Sequence, residues 1–160
     1  MESETLKGEL LYEYTAQFTK ITEYGTSLQA LLSGQVPVPP AGARFDIAFE
    51  GDVQGRLGGR LEAIDYLNVR ADGRMELDLR GTLTTPEGAR IAFAAGGLCV
   101  QDPASSRSLL YENVRLTTAH ADYAWLCAHE IWASGYADLA SSTVYLRGYL
   151  PVGAGASSSK

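Results

Sequence analysis

Cysteine, histidine and lysine are scarce in this 160-residue chain, which has only two, two and three of them. Cys99 and Cys127 are too few for a disulfide framework, so a reducing cytoplasm is the expected location. The histidines and cysteines lack metal-ligand spacing, and His129-Glu130 has no second histidine where a zincin helix needs one. The phosphate-binding and dinucleotide-binding glycine motifs are also missing. The sequence therefore predicts neither a metal nor an organic cofactor.

Positive charge and long apolar runs are missing as well. The formal net charge is -6 and no basic cluster occurs, which makes nucleic acid a poor candidate partner. The acidic start of the chain, residues 1–4, lacks the apolar stretch of a secretory signal. An uncharged run covers residues 24–43, but Pro37, Pro39 and Pro40 interrupt it, so it does not predict a membrane-spanning helix. No membrane partner is expected.

What the chain does contain is apolar and polar residues in alternation, the pattern of strands with one buried face. Asp72-Gly73 and Pro86-Glu87-Gly88 separate neighbouring runs in the manner of hairpin turns. One short helix is predicted over residues 26–32. The predicted strands cover residues 9–18, 45–53, 61–70, 75–83, 90–100, 109–117, 127–135 and 142–150.

About eight strands joined by short turns must either form a sandwich or close on themselves. We predict an all-β fold, a small closed antiparallel barrel over residues 1–152, with 153–160 as a flexible tail. A sandwich is the alternative. Closure removes exposed strand edges, and an eight-stranded barrel has an interior that can hold one small ligand.

The order of several short segments is distinctive across residues 42–152. It resembles a family of small bacterial and fungal proteins of unknown function. The resemblance implies a β-barrel similar in shape to the allene oxide cyclase and dirigent barrels, and it implies no agreed activity. It also makes Arg80, which alternation places outward, a candidate partner of a ligand or carboxylate. This chain departs from the family at Cys127, where asparagine is common. The segments are DYLNVRADG (65–73), LRGT (79–82), EGARI (87–91), YAWL (123–126) and VY (144–145).

Three polar residues interrupt otherwise apolar strand faces: Asp65, Glu112 and His129. A buried carboxyl group pairs or raises its pKa, which suits it to acid–base chemistry near neutral pH. We predict Asp65 as the principal acid or base, His129 as its counterpart across the interior and Glu112 as a third candidate. The alternatives are a turn or bulge contact for Asp65, a solvated strand end for Glu112 and a satisfied core position for His129.

Aromatic residues on the same faces would give the interior walls that suit an apolar ligand. Together with Arg80 they form the predicted ligand-binding set, although plain core packing is the alternative. The aromatic members are Tyr12, Tyr14, Phe45, Phe49 and Trp125.

These residues favour a cofactor-independent enzyme that moves a proton on a small, mostly apolar metabolite, as an isomerase, cyclase, hydratase or lyase does. A non-catalytic barrel that binds such a molecule is the second hypothesis. A structural or assembly role is the third, because Ala92, Ala94 and Leu98 give the strand at 90–100 a second apolar face. For the same reason a homodimer or larger assembly is expected.

Overall fold

The computed structural model describes residues 7–152, so the predicted tail at 153–160 lies outside the described residues. Each strand pairs antiparallel with the next, and the last pairs with the first, which closes the sheet into an eight-stranded barrel. This confirms the predicted all-β barrel and excludes the sandwich. The elements are β1 (Lys7–Glu23), α1 (Leu28–Leu32), β2 (Ala43–Gly55), β3 (Gly59–Val69), β4 (Met75–Thr84), β5 (Arg90–Gln101), β6 (Arg107–Thr117), a 3₁₀ turn (Ala124–Ala128), β7 (Ile131–Asp138) and β8 (Thr143–Val152).

Alternation decides which side chains enter the barrel. On β2, the side chains of Phe45, Ile47 and Phe49 are buried, while the residues between them are partly exposed. The hairpin turns also form where they are predicted. Gly73 and Gly88 both have positive φ, at 89° and 90°, which a glycine adopts without strain.

The two ends of the barrel are closed in different ways. At one end, the 3₁₀ turn carries the fully buried Leu126, and the neighbouring β2–β3 connection contributes the buried Leu57. At the other end, α1 connects β1 to β2 and buries the side chain of its first residue, Leu28. Within residues 7–152, no helix is long and apolar enough to cross a bilayer.

Several predicted boundaries are wrong. The first strand, predicted over residues 9–18, extends over Lys7–Glu23. The strand predicted to begin at residue 127 begins at Ile131, because the chain first forms the 3₁₀ turn that buries Leu126. The predicted helix is shorter, since Ser27 caps it: the Ser27 hydroxyl accepts the Ala30 N–H at 3.2 Å.

The outer surface of β5 is apolar, as alternation predicts. Ala92 and Ala94 are exposed and Leu98 is half-buried. Leu98 pairs with Tyr111 on β6, and Tyr111 and the nearby Trp132 of β7 are also exposed. An apolar outer surface formed by Leu98, Tyr111 and Trp132 therefore crosses β5, β6 and β7, and the polar residues Asn113 and Arg115 of β6 border it.

We expect the protein to form a homodimer or larger assembly through this outer surface, because a monomer would leave the surface in contact with water. Light scattering after size exclusion at micromolar concentration should report at least twice the monomer mass. Leu98→Lys should shift the protein to monomer, and Gln54→Lys, on the outer face of β2, should not. A wild-type protein that is already monomeric would contradict this expectation.

Candidate functional site

An apolar cavity of about 60 Å³ lies inside the half of the barrel that α1 covers. A cavity needs roughly 10–15 Å³ of such volume to hold one water molecule, so this cavity has space for about five water-sized groups. Most of its walls are apolar side chains, including Phe49 of β2 and Leu28 of α1. The polar exceptions come from β3, β5 and β6, and two of them are carboxyl groups.

Asp65 lies on β3 with its side chain inward and only 8% exposed. Its Oδ1 accepts the backbone N–H of Asp78 at 3.0 Å. The pairing of β3 with β4 stops after Asp65 and resumes at Asn68. In this gap the Asp78 N–H donates to the Asp65 side chain instead of to a carbonyl group of β3. Burial raises the pKa of Asp65 to about 7, although the Asp78 N–H opposes this by favouring the ionised form. The carboxyl group can therefore change its protonation state near neutral pH.

Glu112 lies on β6 with its side chain in the same cavity and 6% exposed. Among the described residues, its Oε1 has no hydrogen-bond partner. Burial, and to a smaller extent the negative charge of Asp65, raise the pKa of Glu112 to about 8. The two carboxyl groups therefore face one cavity and influence each other electrostatically.

Tyr12 and Tyr14, which were predicted to bind the ligand, do not line this cavity. They pack in the core toward the end of the barrel that Leu57 and Leu126 close, here called the plugged end. The Tyr14 ring stacks on Phe49 and on Tyr12, with centroid separations of 6.4 and 6.0 Å. Both hydroxyl groups are buried without a hydrogen-bond partner among the described residues. Burial raises both pKa values well above 10, and the charge of Glu112 adds to the effect. Both hydroxyl groups therefore stay neutral.

Not all predicted ligand-binding residues reach the cavity. Phe49 lines it, whereas Phe45 is fully buried in the surrounding core and is not part of the cavity wall. Arg80 is on the outside, with its side chain 71% exposed and its Nε 3.4 Å from an oxygen of Asp78. Trp125 lies at the plugged end, where the Arg56 guanidinium is 4.6 Å from its ring centroid. Arg80 is therefore outside, as alternation predicts, and does not line the cavity, whereas the placement of Trp125 in the wall of the interior was wrong.

The placement of His129 across the interior was also wrong. The residue follows the 3₁₀ turn, is exposed, and has its ring 5.6 Å from that of Trp125. Alternation at residues 127–133 suggested an inward side chain, but this part of the chain is not a strand before Ile131. Glu112 therefore takes the place that His129 was expected to have.

Sequence reasoning missed two smaller polar residues of the cavity wall, Cys99 and Ser108. Ser108 shares the inward face of β6 with Leu110 and Glu112, so alternation would have identified it. Burial raises the pKa of the Cys99 thiol to about 11, which makes it a poor nucleophile. Within residues 7–152, no three histidine, cysteine or acidic side chains converge as metal ligands would.

Solved structures with this fold cover nearly the whole chain. A protein of unknown function from Clostridium acetobutylicum is 20% identical with a TM-score of 0.74, covering 94% of this chain and 100% of its own. A β-barrel-like protein from Acinetobacter baumannii is 21% identical with a TM-score of 0.70, covering 94% and 99%. A structure described as an enzyme from Penicillium herquei is 17% identical with a TM-score of 0.58, covering 93% and 99%. At these identities the likeness shows the fold alone.

No curated protein matches the sequence. One family model does match, that of DUF3237, and the match covers residues 26–149. Because this is more than half of the chain, the protein belongs to the DUF3237 family, whose members are described as proteins of unknown function.

Proposed function

We propose that this protein is a cofactor-independent enzyme that moves a proton on a small, mostly apolar metabolite held in the barrel. The observation that carries the proposal is the pair of carboxyl groups, Asp65 and Glu112, in a mostly apolar cavity. Their pKa values of about 7 and 8 suit both uptake and release of a proton near neutral pH. Isomerisation, cyclisation, hydration and elimination can all proceed with such a pair of groups as acid and base.

The two carboxyl groups have different surroundings, and this supports a different role for each. Asp65 accepts the Asp78 N–H, which stabilises its ionised form, so it is the base. Glu112 has no such donor at its Oε1 and retains its proton to higher pH, so it is the acid. Ionisation of Asp65 also opposes that of Glu112, so the pair titrates as one coupled system.

A non-catalytic binding barrel is the second candidate, since the apolar walls of the cavity would hold a small molecule without any reaction.

The enzyme has one further support. The Penicillium herquei barrel is described as an enzyme, so this fold is compatible with catalysis. Dependence of turnover on Asp65 separates the two candidates.

Proton transfer can be tested without a known substrate. The protein is incubated in D₂O with a pool of small neutral metabolites, and mass spectrometry reports which of them gain deuterium. We expect the wild type to label at least one compound, and Asp65→Asn or Glu112→Gln to slow labelling on the order of a hundredfold or more. Glu62→Gln, on the exposed side of β3, should label at the wild-type rate.

Binding of the labelled compound is then measured for each variant. Intact binding by Asp65→Asn together with lost labelling would support catalysis. Equal labelling by the wild type and Asp65→Asn, or no labelling by the wild type, would favour the binding barrel.

The same pKa shifts predict how stability depends on pH. Folding raises the pKa of both carboxyl groups above the value of about 4 for an unfolded chain, so the folded state binds more protons. The contribution of these two groups to the free energy of unfolding is therefore fully present below pH 4. It is lost as the pH rises through about 7 for Asp65 and about 8 for Glu112. Each of the two pKa shifts corresponds to a change in the free energy of unfolding on the order of 4 kcal/mol, since one pKa unit is about 1.4 kcal/mol.

Urea unfolding at pH 5 and pH 9 measures this effect. The free energy of unfolding of the wild type should be lower at pH 9 than at pH 5. For Glu112→Gln this decrease should be smaller by several kcal/mol. Glu62→Gln serves as the control for loss of an exposed carboxyl group and should follow the wild type. A Glu112→Gln variant with the same pH dependence as the wild type would show that Glu112 is not buried as an acid.

A further inference from the structure

The polar groups of the cavity also restrict the charge of its ligand. Among the described residues that line it, none is lysine, arginine or histidine. The arginines that form ion pairs in the described chain are on the outer surface, where their side chains are between 38% and 71% exposed. An anionic ligand would therefore meet two carboxyl groups and no cation in an apolar space, which strongly disfavours it.

A cationic ligand fits poorly for a different reason. An ammonium group brings three N–H donors, and each must find an acceptor when it leaves water. Asp65 already uses Oδ1 to accept the Asp78 N–H, so it offers fewer free acceptors to such a group. Burial also opposes ionisation of the carboxyl groups that would have to balance the positive charge. A neutral ligand avoids both penalties.

What the cavity lacks is a hydrogen-bond acceptor for Glu112. The Oε1 atom is buried and has no partner among the described residues, and a buried polar atom without a partner is unfavourable. When Glu112 carries a proton, its hydroxyl can donate to an oxygen atom of the ligand. The carbon skeleton would then lie against the apolar walls formed by residues such as Phe49 and Leu28.

We propose that the metabolite is an uncharged carbonyl compound whose oxygen accepts a hydrogen bond from Glu112, with the adjacent carbon directed to Asp65. This inference rests on the proposed function and specifies its substrate class. The Asp65 carboxylate removes a proton from the carbon next to the carbonyl group, and the C–H electron pair forms a carbon–carbon double bond. The carbonyl π electrons move to the oxygen, which takes the proton of Glu112. In a β,γ-unsaturated carbonyl compound, Asp65 then returns its proton to the γ carbon while the enol hydroxyl gives its proton back to Glu112. Both carboxyl groups are restored, and the isomerisation needs no other reactant.

Three probes of one shape and different charge test the ligand class: cyclohexanone, cyclohexanecarboxylate and cyclohexylammonium. Each is titrated into the full-length protein at pH 6.5, and protein NMR shifts report the affinity. We expect cyclohexanone to bind at least tenfold more tightly than either ion. Tighter binding of either ion, or no binding of the ketone, would overturn the proposal.

Two substitutions test the role of Glu112. Glu112→Gln keeps a hydrogen-bond donor and should retain ketone binding, while Glu112→Leu has a similar volume without a donor and should weaken it at least tenfold. Should Glu112→Leu fail to fold, pH supplies the same comparison. From pH 6 to pH 9.5 the wild type should lose about tenfold in affinity for the ketone, while Glu112→Gln should lose little. Equal binding by Glu112→Leu and wild type, or a pH-independent wild type, would overturn the proposal.

The binding experiment involves no turnover, so its failure is distinguishable from failure of the proposed function. Ketone binding that depends on Glu112, together with deuterium labelling that does not depend on Asp65, would leave the ligand class standing and refute the enzyme. Labelling that depends on Asp65, in a protein that does not bind the ketone, would keep the enzyme and refute the ligand class.

Discussion

The pairing of β8 with β1 is the constraint on which the rest of the molecule depends. It closes the sheet, so each inward side chain is removed from water and must pack, pair or line a cavity. Gly148 of β8 allows this closure next to a bulky residue, because a Cβ at that position would overlap the ring of Tyr12. Tyr12 and Tyr14 can therefore enter the interior and fill it from the plugged end.

The interior consequently has two unequal halves. Near the plugged end, aromatic and aliphatic side chains pack with little space between them, and Tyr12 and Tyr14 form the upper layer of this packing. Toward α1 the interior opens into the cavity that Asp65 and Glu112 share. The packed half gives the barrel its stability, whereas the open half retains two carboxyl groups whose burial reduces stability at neutral pH. Groups that destabilise the fold in this way are concentrated at functional sites in proteins.

The errors at His129 and Trp125 in the site prediction share one cause. Cys127, His129 and Ile131 alternate as a strand does, yet the chain forms a 3₁₀ turn there because Leu126 is needed to close the end of the barrel. A local pattern does not report that requirement, which arises from the positions of the surrounding strands. The same limit explains Trp125, whose aromatic ring covers the plugged end and contacts Arg56.

Alternation and turn chemistry determined much of this protein from the sequence alone. They predicted the eight strands, the hairpins at Gly73 and Gly88, and the inward faces of Asp65 and Glu112, because side-chain direction in a strand has a period of two residues and is a local property. Only the tertiary structure decided that these two carboxyl groups share one cavity and that His129 lies outside it. Which residues meet across a barrel depends on the number, register and closure of strands far apart in the chain, and no local pattern encodes those quantities.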